Sequence, residues 1–372
     1  MLKISELRHI VGGYFTWNKS RLDCFLEILV GLFMVRTVNL REIALAMETP
    51  AKIESRYRRL KAFFTQFTPN YFQIACWVMA LFVNEQQKIY LTIDRTNWYF
   101  GKSKINAFVL AIAHEGVAIP LHWTLLNKAG STTADEQIAL VQWFVDRFGI
   151  QNIQGLLADR EFANKRFFEW LIKNKIPFYI RIKENTQIRL FKCSKHSNLK
   201  KLFQSIPHNN ANYYPYSILI FGLRLNVAAG RSPSGELLIV VTQKQSRNAI
   251  SFYLRRWEIE CLFASLKTKG FNFEDTHLTD PYKLSKLIAI LAVGTAWAIK
   301  VGEWRASKEP IRFNQHRESI RPQYSYFRYG LDFIRDTLLN MGKKLRKLRQ
   351  CLQAITITSP QKYFVLLGLA WH

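Results

Sequence analysis

Acidic residues are scarce in this chain. Of its 372 residues, 27 are Asp or Glu and 53 are Lys or Arg, a formal net charge of +26. A globular chain this basic most often binds a polyanion, and nucleic acid is the first candidate. Charge alone leaves a ribosome-associated or membrane-surface protein open. Cysteine is also sparse. The five cysteines, Cys24, Cys76, Cys193, Cys261 and Cys351, are odd in number and never form a CxxC pair. That argues against a disulfide scaffold and a zinc site, and suits a reducing, cytoplasmic setting. No charged-then-apolar leader opens the sequence. The longest apolar run, Leu287 to Ile299, spans only 13 residues. It reads as a buried helix rather than a membrane span, so no membrane partner is expected. Internal repeats and low-complexity linkers are missing too.

What is present is core-forming material, 49% hydrophobic and 14% aromatic. Residues 1 to 85 read as helical, with helices at Arg21–Val35, Leu40–Met47 and Ala51–Phe67. The last carries Arg56, Arg58, Arg59 and Lys61 beside Tyr57, Phe63 and Phe64. Short helices ending in a basic one suggest a helix-turn-helix-like DNA reader; a solvated cationic helix on a bundle is the plain alternative. From Lys88 the period changes to alternation, and KIYLTID ends on Asp94. Ile105–Ala113 and Val117–Leu126, joined by a turn at His114-Glu115-Gly116, complete a three-strand meander. A helix at Ala134–Phe148, a buried-type strand at Gln154–Asp159, a helix at Ala163–Asn174 and a strand at Pro177–Ile182 follow. Residues 183 to 248 hold ten Lys or Arg and two acids, with strand-like runs at Tyr216–Phe221, Leu223–Ala229 and Glu236–Thr242. They read as a basic, β-rich insertion.

The stretch YLRRWEIECLFASLK, residues 253 to 267, reads as one helix. Tyr253, Arg256, Glu260 and Lys267 fall within an arc of roughly 60° at about 100° per residue. An apolar stripe of Phe252, Ile259, Leu262, Phe263 and Leu266 runs beside them and suits packing on a core. Taken alone, Arg256 and Glu260 could be an ordinary i,i+4 surface pair. The strand-end acids give them a second meaning. Asp94, Asp159 and Glu260 could meet where strand ends and a crossing helix converge, although Asp94 as a turn residue and Asp159 as a helix cap remain open. Such a cluster needs a cation to stay ionised. Hard oxygen ligands suit two Mg²⁺ or Mn²⁺ ions and phosphodiester displacement. Arg256 and Lys267 would then hold phosphates. Glu161, Glu258, Asp135, Glu136 and Asp146 are rival acids.

The spacing Tyr-x2-Arg-x3-Glu-x6-Lys matches the signature of DDE transposases of the insertion-sequence-four family, relatives of the bacterial Tn-five-type cut-and-paste elements. RTVNLREIA at 36–44, DRTNWYFG at 94–101, LADREF at 157–162 and FRYGLD at 327–332 also resemble that family. The resemblance implies an RNase H-like α/β core, a mixed sheet flanked by helices, with Asp94, Asp159 and Glu260 as the catalytic, metal-binding triad. It implies that Tyr253, Arg256 and Lys267 contact DNA phosphates. It also implies that Trp257 holds a displaced base, against the alternative of an ordinary core aromatic. The implied divisions are a helical DNA-binding region at 1–85, the first part of the core at 86–182, the insertion at 183–248, the catalytic helix part at 249–300 and a basic C-terminal region at 301–372.

The expected activity is cleavage and joining of DNA at the terminal inverted repeats of a mobile element, through a hairpin intermediate. The alternatives are a nuclease that only cuts and an inactive transposase acting as a repressor. Transposon ends and target DNA are the expected partners, with a homodimer holding two ends. The run Tyr326, Phe327, Tyr329, Leu331, Phe333 and Ile334, then KKLRKLR at 343–349 and the tail Tyr363–Trp371, are candidates for that contact or for internal packing.

Overall fold

The computed structural model describes residues 2–84, 86–128, 130–190, 196–316, 319–357, 363 and 365–368. Five helices come first: α1 (Leu2–Val11), α2 (Lys19–Val35), α3 (Leu40–Ala46), α4 (Ile53–Gln66) and α5 (Tyr71–Phe82). Asn18, Asn39 and Asn70 cap α2, α3 and α5, their side chains accepting from N–H groups of the first turn. Each cap satisfies a donor that the helix itself leaves orphaned. Helices α1 and α5 were not among the three read from the sequence. In α5 every residue from Gln73 to Met79 is buried, so it has no polar face to give a period.

The meander follows as β1 (Ile89–Phe100), β2 (Ser103–His114) and β3 (Val117–Leu125). Glu115 and Gly116 both hold positive φ, 45° and 87°, the primed geometry that matches strand twist. Next come α6 (Ala134–Phe148), opened by a Thr133–Glu136 capping box, then β4 (Ile153–Ala158), α7 (Lys165–Lys173) and β5 (Phe178–Ile182). Strand β1 pairs antiparallel with β2 and parallel with β4, and β4 pairs parallel with β5. The order β3-β2-β1-β4-β5 is that of an RNase H-like mixed sheet flanked by helices.

Residues 183–248 contribute β6 (Gln187–Leu190), β7 (His196–Asn198), α8 (Leu199–Leu202), β8 (Ala211–Tyr213), β9 (Ile218–Ile220), β10 (Leu223–Arg231) and β11 (Leu237–Thr242). Strand β11 pairs antiparallel with β5, so this segment prolongs the same sheet. Cys193 lies outside the described residues.

The remaining elements are α9 (Ala249–Leu254), α10 (Trp257–Leu266), α11 (Pro281–Lys308), the hairpin β12 (Phe313–His316) and β13 (Ser319–Pro322), α12 (Tyr326–Leu339) and α13 (Met341–Gln353). The 13-residue apolar run lies inside the 28-residue helix α11, which is long and apolar enough by length and composition to cross a membrane. However, 89% of its most apolar window is buried inside the fold. On α12, Phe327, Leu331 and Ile334 are buried, so that part of the aromatic-rich run belongs to the chain's own core. Tyr363 is buried as well. The end of the apolar tail, Trp371 included, lies outside the described residues.

Two expectations need correction. The stretch 253–267 is not one helix. It is α9 and α10, separated by a turn at Arg255 and Arg256, with Lys267 past the last helical residue. The Arg256 N–H bonds back to the Tyr253 carbonyl at 2.8 Å, three residues away, which tightens the chain there. Asp94 does not close a strand either. Strand β1 continues to Phe100 because its ladder with β2 persists, pairing Asp94 with Val109 and Phe100 with Ser103. What ends at Asp94 is the parallel ladder with β4, whose last pair is Ile93 with Ala158.

Candidate active site

The alternation of side chains along a strand places Tyr90, Thr92 and Asp94 on one face of β1. Leu157 and Asp159 continue that face across β4, and Tyr179 and Arg181 across β5. This is the face covered by α9, since Tyr90 packs against Phe252 with ring centroids 5.6 Å apart. Gly155 makes room for that packing: a Cβ there would lie 2.8 Å from the Tyr179 ring and 3.1 Å from that of Tyr90. With Ile93 and Ala158 as register partners, Asp94 and Asp159 emerge side by side just past the paired segment.

The tight turn between α9 and α10 aims Arg256 at these acids. Its guanidinium is 3.6 Å from Asp94 Oδ2 and donates to Glu260 Oε1 at 2.5 Å. Arg256 is buried, and its Nε has no hydrogen-bond partner. The Tyr253 hydroxyl donates to Asp159 Oδ1 at 3.3 Å, and Arg181 lies 3.9 Å from the same oxygen. Burial pushes the Tyr253 hydroxyl well above the ordinary phenol range. One turn of chain thus links all three acids, Asp94 and Glu260 through Arg256 and Asp159 through Tyr253.

Burial pushes the Asp94 carboxyl up to about 6. The Arg95 N–H at 2.7 Å and the Arg256 charge pull it down, and Glu161 and Asp159 add to the rise. The rival acids have other engagements. Glu161 accepts a bidentate pair from Arg95 at 2.8 and 2.6 Å. Glu136 closes the capping box, Asp135 pairs with Arg166, Asp146 accepts from Gln142, and Glu258 lies 3.4 Å from Arg255. Lys267 pairs with Glu274 at 2.8 Å and sits over the Trp98 ring. Trp257 is 61% exposed, which overturns its reading as a core aromatic.

The basic residues of α4 divide. The Arg56 guanidinium is committed to the carbonyls of Ala51, Met47 and Thr49, where it ties down the α3–α4 connection. Arg59 pairs with Glu27 at 2.7 Å. Arg58 and Lys61 are exposed, and Lys61 lies over the Tyr57 ring. Sequence reasoning missed Arg95 and Arg181. Arg181 was open to inference, because the β4–β5 register that pairs Ala158 with Ile180 sets it beside Asp159. Nothing in the sequence marks the Arg95–Glu161 pair.

The donor set suits a divalent cation. It offers oxygen ligands only, and one of its carboxylates is held above its usual range by burial. Among the described residues no three candidate ligands close on a common point as they stand. Arg256 lies between Asp94 and Glu260 and supplies the positive charge there.

A family model described as a transposase DDE domain matches residues 85–294, a stretch containing all three acids. Among solved structures, the chain is similar to a piggyBac transposase in a synaptic complex with hairpin DNA. That likeness is 11% identical and covers 100% of this chain and 84% of the other at a TM-score of 0.45. No curated protein matches the chain.

The raised Asp94 sets a pH dependence. An unfolded Asp ionises near 3.8, the folded one near 6. Folded-state stability is therefore lost as pH rises through that window and stays lost above it. Relative to Asp94→Asn, the native chain should lose about 2–3 kcal/mol between pH 4 and pH 7. Urea unfolding in metal-free buffer measures this, and a difference that stays constant across the range would refute it.

Proposed function

The chain belongs to the DDE transposase family, and from that premise we propose that it excises and joins DNA at the terminal inverted repeats of an insertion sequence. The finer assignment to the insertion-sequence-four type rests on the Tyr253, Arg256, Glu260 and Lys267 spacing. The observation that carries the proposal is the meeting of Asp94 on β1 with Asp159 just past β4, with Glu260 tied to Asp94 through Arg256. Asp94, Asp159 and Glu260 would hold Mg²⁺ or Mn²⁺. Bound there, two such ions supply activation of a water or 3′-hydroxyl and stabilisation of the leaving oxygen.

The other side chains position the DNA. Arg256 exchanges a carboxylate for a phosphate as the strand enters, a swap its forked donors allow. That exchange frees Glu260 to turn toward the aspartates. Tyr253 holds Asp159 in place. Lys267, at the far end of α10, gives a second phosphate contact. Trp257, exposed beside Arg256, would stack on a base displaced during hairpin formation. Glu260→Gln should abolish cleavage of a cognate end while leaving end binding within about twofold. An excision assay with flanking repeat DNA and Mg²⁺, read on a sequencing gel, checks this. Equal cleavage by variant and native chain would overturn the catalytic reading. Cut ends without a new covalent junction would reduce the protein to a nuclease.

End recognition falls to the helical N-terminal region, with the exposed Arg58 and Lys61 as its phosphate contacts. Arg56 acts through the α3–α4 connection and Arg59 through the packing of α4 on α2. Neutralising Arg58 or Lys61 singly should flatten the salt slope of end binding by about one unit. A chain beginning at residue 86 that bound ends as tightly and selectively as the whole would sink the assignment.

Cutting two ends needs two copies of the triad, so the working assembly is a homodimer on DNA. Light scattering of the complex at saturating end DNA should give two chains. One chain per complex, with excision still proceeding, would refute the dimer.

A further inference from the structure

A second basic site lies at the opposite end of the same strands. A cavity of about 590 Å³ opens where β1, β4 and β5 begin and where β11 hands over to α9. Lys88, Lys244 and Arg247 line it, all three exposed. Among the described residues no carboxylate lines it, and none of the three cations has an ion-pair or hydrogen-bond partner for its side chain. That sets them apart from Arg95, Arg181, Arg256 and Lys267, each engaged by an acid. Gln154 adds an exposed amide, and Tyr179 and Phe252 form an aromatic wall whose rings lie 5.2 Å apart.

Three cations brought to one concavity without counter-charge repel one another. Folding tolerates this at a surface because water screens the charges. The arrangement gains energy only when an anion arrives, and phosphate release of counterions supplies the driving force. The site cannot be part of the carboxylate centre. The five residue steps from Ile89 to Asp94 span roughly 17 Å of extended strand. Strand β1 thus carries Lys88 at one end and leads to Asp94 at the other.

We propose that Lys88, Lys244 and Arg247 form an anchor for the phosphate backbone of duplex DNA, distinct from the carboxylate centre and remote from the phosphate that reacts. This rests on the reading of the chain as a DNA-acting transposase, and adds a second contact track to it. Lys88 stands at the start of the core sheet, while Lys244 and Arg247 stand where the insertion rejoins it. The anchor therefore has a sequence origin in both parts, and the insertion contributes to DNA binding through its return connection. Exposed lysine and arginine side chains around a concavity suit backbone contact, in which sequence is not read.

The test uses the full chain with a 40-base-pair duplex of arbitrary sequence, in chelator so that no cleavage occurs. The triple variant Lys88→Ala, Lys244→Ala, Arg247→Ala should lower the salt slope of binding, followed by fluorescence anisotropy, by about two to three units. In the native chain, acetylation of Lys88 and Lys244 by a small amine reagent, followed by mass spectrometry, should fall several-fold when the duplex is added. All three side chains are exposed, so circular dichroism and melting should be unchanged in the variant. An unaltered slope, or equal acetylation of both lysines with and without duplex, overturns the anchor. Because cleavage plays no part, a Glu260→Gln variant that still cuts would remove the catalytic reading and leave this measurement interpretable.

Discussion

The structure depends on how carboxylates are kept together inside a cation-rich fold. Asp94 sits on β1 and Asp159 directly follows the adjacent β4, and Glu260 is tied to Asp94 through a shared arginine. Left uncompensated, such a grouping would expel a charge by protonation or drive the segments apart. Here one guanidinium spans Asp94 and Glu260, and a tyrosine hydroxyl and a second arginine attend Asp159. The compensation is incomplete, since Asp94 is still pushed up to about 6 by burial. That residual imbalance is what a bound divalent ion would relieve.

The rest of the fold can be understood as the apparatus that holds this grouping. Parallel pairing of β1 with β4 brings the two aspartates out together, which an antiparallel pairing would not do. The hairpin of β1 with β2 continues beyond them and stiffens the strand that carries Asp94. Ile259, Leu262 and Leu266 are buried and fix α10 in place, so the position of Glu260 is set by core packing. Gly155 lets Tyr90 and Tyr179 pack beneath α9, which sets the height of the turn that delivers Arg256.

Much of this was legible in the sequence, for identifiable reasons. Alternation in KIYLTID and the primed turn at Glu115-Gly116 marked the meander locally, although Ile89 to Ile93 are buried on both faces of the sheet. The helix Ala134–Phe148 was legible to the residue, since Thr133 and Glu136 form a capping box and Gly149 ends it. Helix α5 left no periodic mark, being buried on all sides. The break between α9 and α10 was hidden because Arg255 and Arg256 keep right-handed helical torsions, so the stripe arithmetic still grouped the right residues. The charge on α4 could not tell a DNA contact from a structural brace. Arg56 turned out to hold three carbonyls, a role that depends on a connection folding back toward it.

Arg256 is better explained by function than by stability. A buried ion pair returns little net free energy, because removing both charges from water costs about as much as their attraction yields. An arginine kept for stability would be expected to have all its donors satisfied, yet Nε is buried without a partner. It also sits at the break between two helices. These features together describe a donor fork left partly unspent and aimed at the acids. The guanidinium is thus held by Asp94 and Glu260 on one side and left short of a partner at Nε.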